Sequence, residues 1–176
     1  MQIAVISSSL NAESKGLHLA RLAAEHLQAQ GQTVDFIDLR DVPLPLGGSD
    51  GSFDHPLATE LTARLKRADG ILLATPVYNY DVNAAAKNLV ELTGPAWENK
   101  VVGFLLSAGG HPSYMSVMGF ANSLMLDFRC IILPRFVYAL SKEHFSAGKL
   151  SDPDVQRRVE ELTRQLVRVA GALQIP

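Results

Sequence analysis

Five short apolar runs punctuate this chain: IAVI at 3–6, VDFIDL at 34–39, GILLAT at 70–75, VVGFLLS at 101–107 and CIIL at 130–133. Several are apolar on both faces instead of alternating, as strands are when helices cover both sides of a parallel sheet. Longer segments with helical spacing lie between them. Leu17, Ala20, Ala24 and Leu27 share one face of a helix over 15–30, and Gly31 supplies its C-terminal cap. Leu57, Leu61, Leu65 and Ala68 mark a second helix. A third covers 83–93, with Asp81 or Asn83 as its cap, and a fourth covers 114–127. Val155, Leu162, Leu166, Val169 and Leu173 mark a last helix, which Asp152 caps ahead of Pro153.

Strict alternation of strand and helix implies a parallel sheet joined by crossovers that place helices on both faces. Five strands fit the order 2-1-3-4-5 of a flavodoxin-like three-layer sandwich, and 176 residues suit one domain over 1–176. Such sheets bind ligands at the carboxyl ends of their strands, where the strand order reverses, here between strands 1 and 3. That rule selects the loops 7–14, 76–82 and 107–113. The Pro/Gly-rich stretch 41–56 lies on the same side and has the composition of a covering loop.

Loop 7–14 offers the hydroxyls of Ser7, Ser8, Ser9 and Ser14 beside the start of a helix, with Lys15 as an added cation. Hydroxyls, orphan N–H groups and the positive end of a helix dipole suit a phosphate dianion. Read alone, the same stretch also suits a helix cap followed by an ordinary serine turn. Loop 76–82, Pro76-Val77-Tyr78-Asn79-Tyr80-Asp81-Val82, suits contact with a flat conjugated ring, or else aromatics packed on the helix behind. Ser107, Ala108, Gly109 and Gly110 let a backbone come close to a planar ligand. His111 is either a proton donor to that ligand or a solvated loop histidine. A phosphate end in one loop and ring contacts in two others describe a mononucleotide. FMN fits better than a dinucleotide, since G-x-G-x-x-G and its acidic partner are missing.

At these residues the chain resembles the NADPH-dependent FMN reductase family, with its azo, quinone and chromate reductase relatives, over about 2–170. The family pattern G-S-x-R-x-x-S is matched by Ser8-Ser9-Leu10-Asn11-Ala12-Glu13-Ser14, with Ser8 for the glycine and Asn11 for the arginine. P-E-Y-N followed by K-N is matched by Pro76-Val77-Tyr78-Asn79 and Lys87-Asn88. The resemblance implies that Ser9, Asn11 and Ser14 contact the FMN phosphate, and that Pro76 through Tyr80 and Ser107 through Gly110 hold the isoalloxazine. It implies two-electron reduction of a flavin, quinone, azo compound or metal oxyanion, with NADPH or NADH as co-substrate. Cofactor-borne chemistry needs no catalytic side chain and no metal site. Without the arginine, FMN binding is expected to be weaker than in members that have it, unless Lys15 replaces that charge. A flavodoxin-like electron carrier and a non-catalytic domain with lost FMN binding are the alternatives. Neither a G-x-S-x-G elbow nor a placed His/Asp pair supports a serine hydrolase.

Charge and cysteine content bound the partners. A net charge of -2 and a pI near 6.2 argue against nucleic acid and anionic membranes. The lone Cys130 fits a reducing, cytoplasmic setting and reads as a small buried hydrophobe. No signal peptide and no membrane span are expected. Met115, Met118 and Met125 make the fourth helix apolar over more than one face, which suggests a subunit interface, and the resemblance implies a homodimer or homotetramer.

Overall fold

The computed structural model describes residues 1–173. Its elements run β1 (Gln2–Ser7), α1 (Lys15–Ala29), β2 (Thr33–Asp38), α2 (Pro56–Arg67), β3 (Gly70–Tyr78), β4 (Asp81–Val82) and α3 (Ala84–Thr93). They continue through β5 (Val101–Ala108), α4 (Met118–Phe128), β6 (Ile131–Ile132), β7 (Val137–Leu140), β8 (Phe145–Ser146), β9 (Lys149–Leu150) and α5 (Pro153–Ala172). The principal sheet has the order β2-β1-β3-β5-β6, and β1, β2, β3, β5 and β6 pair in parallel. This is the flavodoxin-like arrangement that the alternation predicts.

The period-2 pattern of each strand decides which helices it meets. On β1, Ala4 and Ile6 join one buried cluster, with Leu61 and Leu65 of α2, Leu89 of α3 and Leu124 of α4. Ile3 and Val5 point the other way, into a cluster with Leu19 and Leu27 of α1 and Val159 and Leu166 of α5. Gly31 sits just past the end of α1 at φ +74, the left-handed conformation that a side chain resists.

The fifth strand departs from expectation. Of CIIL only Ile131 and Ile132 pair, with Val101 and Val102 at the lower half of β5. The upper half, Leu105 to Ala108, pairs with Val137–Leu140, a strand that the apolar-run reading omits. Pro134 has no N–H to give a ladder, and Arg135 turns through φ +59, so the strand jogs between its two parts. Two further boundaries shift. Residues 111–117 form a 3-10 helix ahead of α4, so Met115 precedes that helix and is not part of it. Strand β3 runs on through Tyr78 and turns back on β4.

Cys130 is buried, and its Sγ–H donates to the Trp97 carbonyl at 3.1 Å. Burial pushes the thiol up to about 11, with Lys100 opposing. In the unfolded chain it ionises near 9.0, the ordinary value for a cysteine thiol. The folded state binds the proton longer, so its contribution is intact below about pH 9 and is lost as pH rises through about 11. Denaturation midpoints across that window are expected to fall in the parent and to fall less in Cys130→Ala. A native-state thiol titration at neutral pH is expected to find Cys130 unreactive.

Candidate cofactor cleft

Residues from all three strand-end loops line one cleft of about 310 Å³. Ser9, Asn11, Ser14 and Lys15 come from the β1–α1 connection, and Pro76, Val77 and Tyr78 from the end of β3. Ser107, Ala108 and Gly109 come from the end of β5. The lining also includes Glu13 and Ser141. Ser141 follows β7 and donates its N–H to the Ala108 carbonyl at 2.8 Å. Ser141 thus reaches the cleft through β7, a strand that no long apolar run marks.

The floor of the cleft is the start of α1. Ser14 is its N-cap, its Oγ accepting from the Leu17 N–H at 3.2 Å. The N–H groups of Lys15 and Gly16 lie in the first turn, where a helix has no carbonyl of its own to offer them. A Cβ placed on Gly16 would sit 3.5 Å from Ser14 Oγ and 3.5 Å from Ser107 Oγ, so two hydroxyls from different loops flank this helix end. Ser107 thus stands beside the helix start. Ser7 continues the Ile3–Val5 face of β1 and is fully buried; its Oγ has no hydrogen-bond partner among the described residues. Hydroxyls, amides and one ammonium make a donor set that fits a phosphate.

Asn11 does not stand in for an arginine. Its Oδ1 accepts from the Glu13 N–H at 2.9 Å, its N–H donates to Ser9 Oγ at 3.3 Å, and its carbonyl accepts from the Ser14 N–H at 3.2 Å. It closes its own turn. Arg40, which no motif in the sequence marks, braces that turn from outside by donating Nη1–H to the Ala12 carbonyl at 3.3 Å. Arg40 is also paired with Asp38. Burial of Asp38 opposes its ionisation, but the Arg40 bonds outweigh it and hold the carboxyl below its ordinary value.

The second loop proves to be a tight hairpin. Tyr78 opposes Asp81 and Val77 opposes Val82. Asn79 and Tyr80 occupy the two turn positions at φ 50 and 62, the sign pattern of a type I′ turn achieved without glycine. That turn carries both residues past the cleft lining, which stops at Tyr78. Gly110 is likewise outside the lining: its carbonyl accepts the Tyr138 hydroxyl from β7. The side chain of His111 lies outside the described residues. Asn88 is not part of the cleft lining. Its Oδ1 accepts from the Gly47 N–H at 2.7 Å and its Nδ2 donates to the Pro45 carbonyl at 2.9 Å, which ties the Pro/Gly-rich loop to α3.

Ser8, in the place of the family's glycine, faces away from the cleft. Its Oγ donates to Asn83 Oδ1 at 2.7 Å, and Asn83 Nδ2 donates back to the Ser8 carbonyl at 2.7 Å. Asn83 Oδ1 also accepts from Thr75 Oγ1 at 3.0 Å and from the Ala86 N–H at 3.3 Å. One side chain thereby caps α3 and locks the end of β1 to the end of β3.

The family model for NADPH-dependent FMN reductase matches residues 1–145. A curated NAD(P)H-dependent FAD/FMN reductase of Geobacillus thermodenitrificans is 26% identical, across 80% of this chain and 77% of that one. A probable NADPH:quinone oxidoreductase 2 of Oryza sativa subsp. japonica is 27% identical, across 99% of this chain and 91% of that one. Among solved structures, the flavoenzyme NAD(P)H:(acceptor) oxidoreductase FerB of Paracoccus denitrificans superposes with a TM-score of 0.80 at 19% identity, covering 97% of both chains. At that identity the superposition establishes the fold alone.

Proposed function

The chain belongs to the NADPH-dependent FMN reductase family and is a flavin-dependent oxidoreductase that uses FMN with NAD(P)H as co-substrate. From that premise we propose that the cleft between the ends of β1, β3 and β5 holds the FMN, in a single domain over 1–176. The observation that carries this reading is the pairing of Ser14 and Ser107 hydroxyls at the start of α1, with Lys15 beside them. In this arrangement Ser9, Ser14, Ser107 and the first N–H groups of α1 receive the phosphate. Pro76, Val77 and Tyr78 on one side, and Ala108, Gly109 and Ser141 on the other, border the ring system.

FMN held by these residues would supply the redox chemistry, a two-electron exchange between nicotinamide and acceptor. The protein's part is to fix the cofactor's position and keep one ring face open. Small residues at Ala108 and Gly109 allow close backbone approach. Tyr78 is half exposed at the rim, where a second flat molecule can lie against its ring. No acid–base side chain is needed for this exchange. The acceptor is a small molecule of quinone, azo, flavin or metal-oxyanion type, and the setting is the cytoplasm. Among the described residues no helix is long and apolar enough to cross a membrane.

Anaerobic addition of NADPH or NADH to the FMN-loaded protein is expected to bleach the flavin absorbance in one two-electron step. Addition of a quinone then restores it. Failure of both nicotinamides to bleach bound flavin rejects the reductase reading of this cleft. A long-lived one-electron state during stepwise reduction instead favours an electron carrier. Met118, Met125 and Leu126 of α4 and Met115 just ahead of it are apolar and exposed, at 40%, 40%, 77% and 60%, which supports an interface between copies on this face. This face joins copies into a homodimer or homotetramer. Light scattering at micromolar protein is the check, and a monomer rejects it.

A further inference from the structure

Lys15 is the one cation among the described residues that line the cleft, and Glu13 the one anion. A long flexible ammonium is a poor phosphate reader unless something limits its wandering. Here the Nζ of Lys15 stands 5.5 Å from the centroid of the Phe145 ring, within reach of a cation–π contact. Phe145 belongs to the β8–β9 hairpin. Phe145 pairs with Leu150 and Ser146 with Lys149, leaving Ala147 and Gly148 as a two-residue turn with φ 46 and 79. That turn is tight. Phe145 and Leu150 also pack against the core beneath α1 and α5, so the ring is anchored from below. A Cβ on Gly148 would lie 4.0 Å from Lys15 Nζ, which places the turn itself against the ammonium. The surroundings are rich in positive charge. Burial first, then Lys15, Arg21 and Lys149, push His18 below its ordinary value.

We propose that Phe145 and its hairpin position Lys15 over the phosphate end of the cleft, and so make the cleft select a phosphorylated flavin over riboflavin. Asn11, whose oxygen is spent on its own turn, leaves that charge role vacant, and Lys15 fills it from the next turn of chain. Phe145 is a positioning residue in this scheme, because it acts on the ligand through Lys15. The family match ends at residue 145, so the turn and second strand of the hairpin lie beyond it. The inference rests on the cleft being the FMN site.

The test is a fluorescence-quenching titration of the flavin-free protein with FMN and, separately, with riboflavin, for the parent and three variants. Lys15→Met is expected to reduce the FMN-over-riboflavin preference by roughly tenfold, the worth of one charge-assisted hydrogen bond. Phe145→Leu removes the ring but keeps apolar packing, and is expected to reduce the preference roughly two- to fivefold. Phe145→Tyr keeps the ring and is expected to keep the preference. Riboflavin affinity is expected to stay near the parent value in all three. A preference unchanged in Phe145→Leu overturns the inference, as does an equal loss of both flavins, since a merely structural ring would weaken both. A protein that binds neither flavin overturns the FMN reading of the cleft and this inference with it.

Discussion

Replacing Asn83 by alanine is expected to lower the unfolding midpoint by roughly 10 °C and to weaken FMN binding at least tenfold. Asn83 is 5% exposed and makes four side-chain bonds: to Ser8 Oγ, the Ser8 carbonyl, Thr75 Oγ1 and the Ala86 N–H. Loss of the cap on α3 costs about 1 kcal/mol. Each buried group left without a partner adds about 1–3 kcal/mol, although neighbouring losses do not sum. A total of about 3–4 kcal/mol is the reasonable expectation, and for a chain of this size each kcal/mol moves the midpoint by about 2–4 °C. The binding loss has a separate cause. Asn83 is what fixes the end of β1 against the end of β3, so the serines of one loop and the Pro76–Tyr78 edge of the other lose their relative register. Asn83→Asp is the informative companion. It keeps the helix cap but turns the amide donor into a carboxylate facing the Ser8 carbonyl, so it too is expected to lose stability. Thermal melts and flavin titrations on both variants decide the matter, and an alanine variant melting within a few degrees of the parent would remove Asn83 from this role.

The central architecture was legible because IAVI, GILLAT and VVGFLLS are buried on both faces, and only a sheet with helices on both sides buries a strand that way. Val137–Leu140 is not legible as a strand because it is short and follows Pro134, which reads as the end of a strand and not as a jog within one. Asn79 and Tyr80 carry no hairpin signal in the sequence because a two-residue type I′ turn is recognised by Asn-Gly or Asp-Gly, and here a tyrosine takes the glycine's place. The site residues read from Pro76 through Tyr78 and from Ser107 through Gly109 do line the cleft, since strand ends place them there whatever the side chains are. Long-range partnerships were another matter. Arg40 reaching Ala12, Asn83 reaching Ser8 across 75 residues, and Phe145 reaching Lys15 join segments whose spacing in the chain carries no pattern. Ser8 illustrates the cost of reading a motif residue in isolation. It occupies the position where the family has a glycine at the phosphate loop, yet its hydroxyl is committed to the scaffold behind that loop.

Ser14→Asp separates the phosphate site from the rest of the fold more cleanly than any deletion. Ser14 holds α1 through its Oγ, which accepts from the Leu17 N–H. Aspartate is as good an N-cap as serine, and a negative charge is favourable at a helix start, so the variant is expected to melt at or slightly above the parent temperature. The same carboxylate would sit where the proposed phosphate must lie, flanked by Ser107 and the first N–H groups of α1. Like charges about 4 Å apart at an effective dielectric constant near 20 repel by about 4 kcal/mol, which is roughly a thousandfold in affinity. FMN binding is therefore expected to fall by about that factor, while riboflavin, which has no phosphate to repel, changes by no more than a few-fold. Ser14→Ala makes the opposite trade, losing the cap and about 1 kcal/mol of stability while leaving the helix N–H groups free for the phosphate. Paired titrations with the two flavins, alongside melts, read both quantities from one set of samples. If Ser14→Asp binds FMN within tenfold of the parent, the phosphate does not sit at the start of α1, and the orientation of the cofactor across this cleft must be reversed.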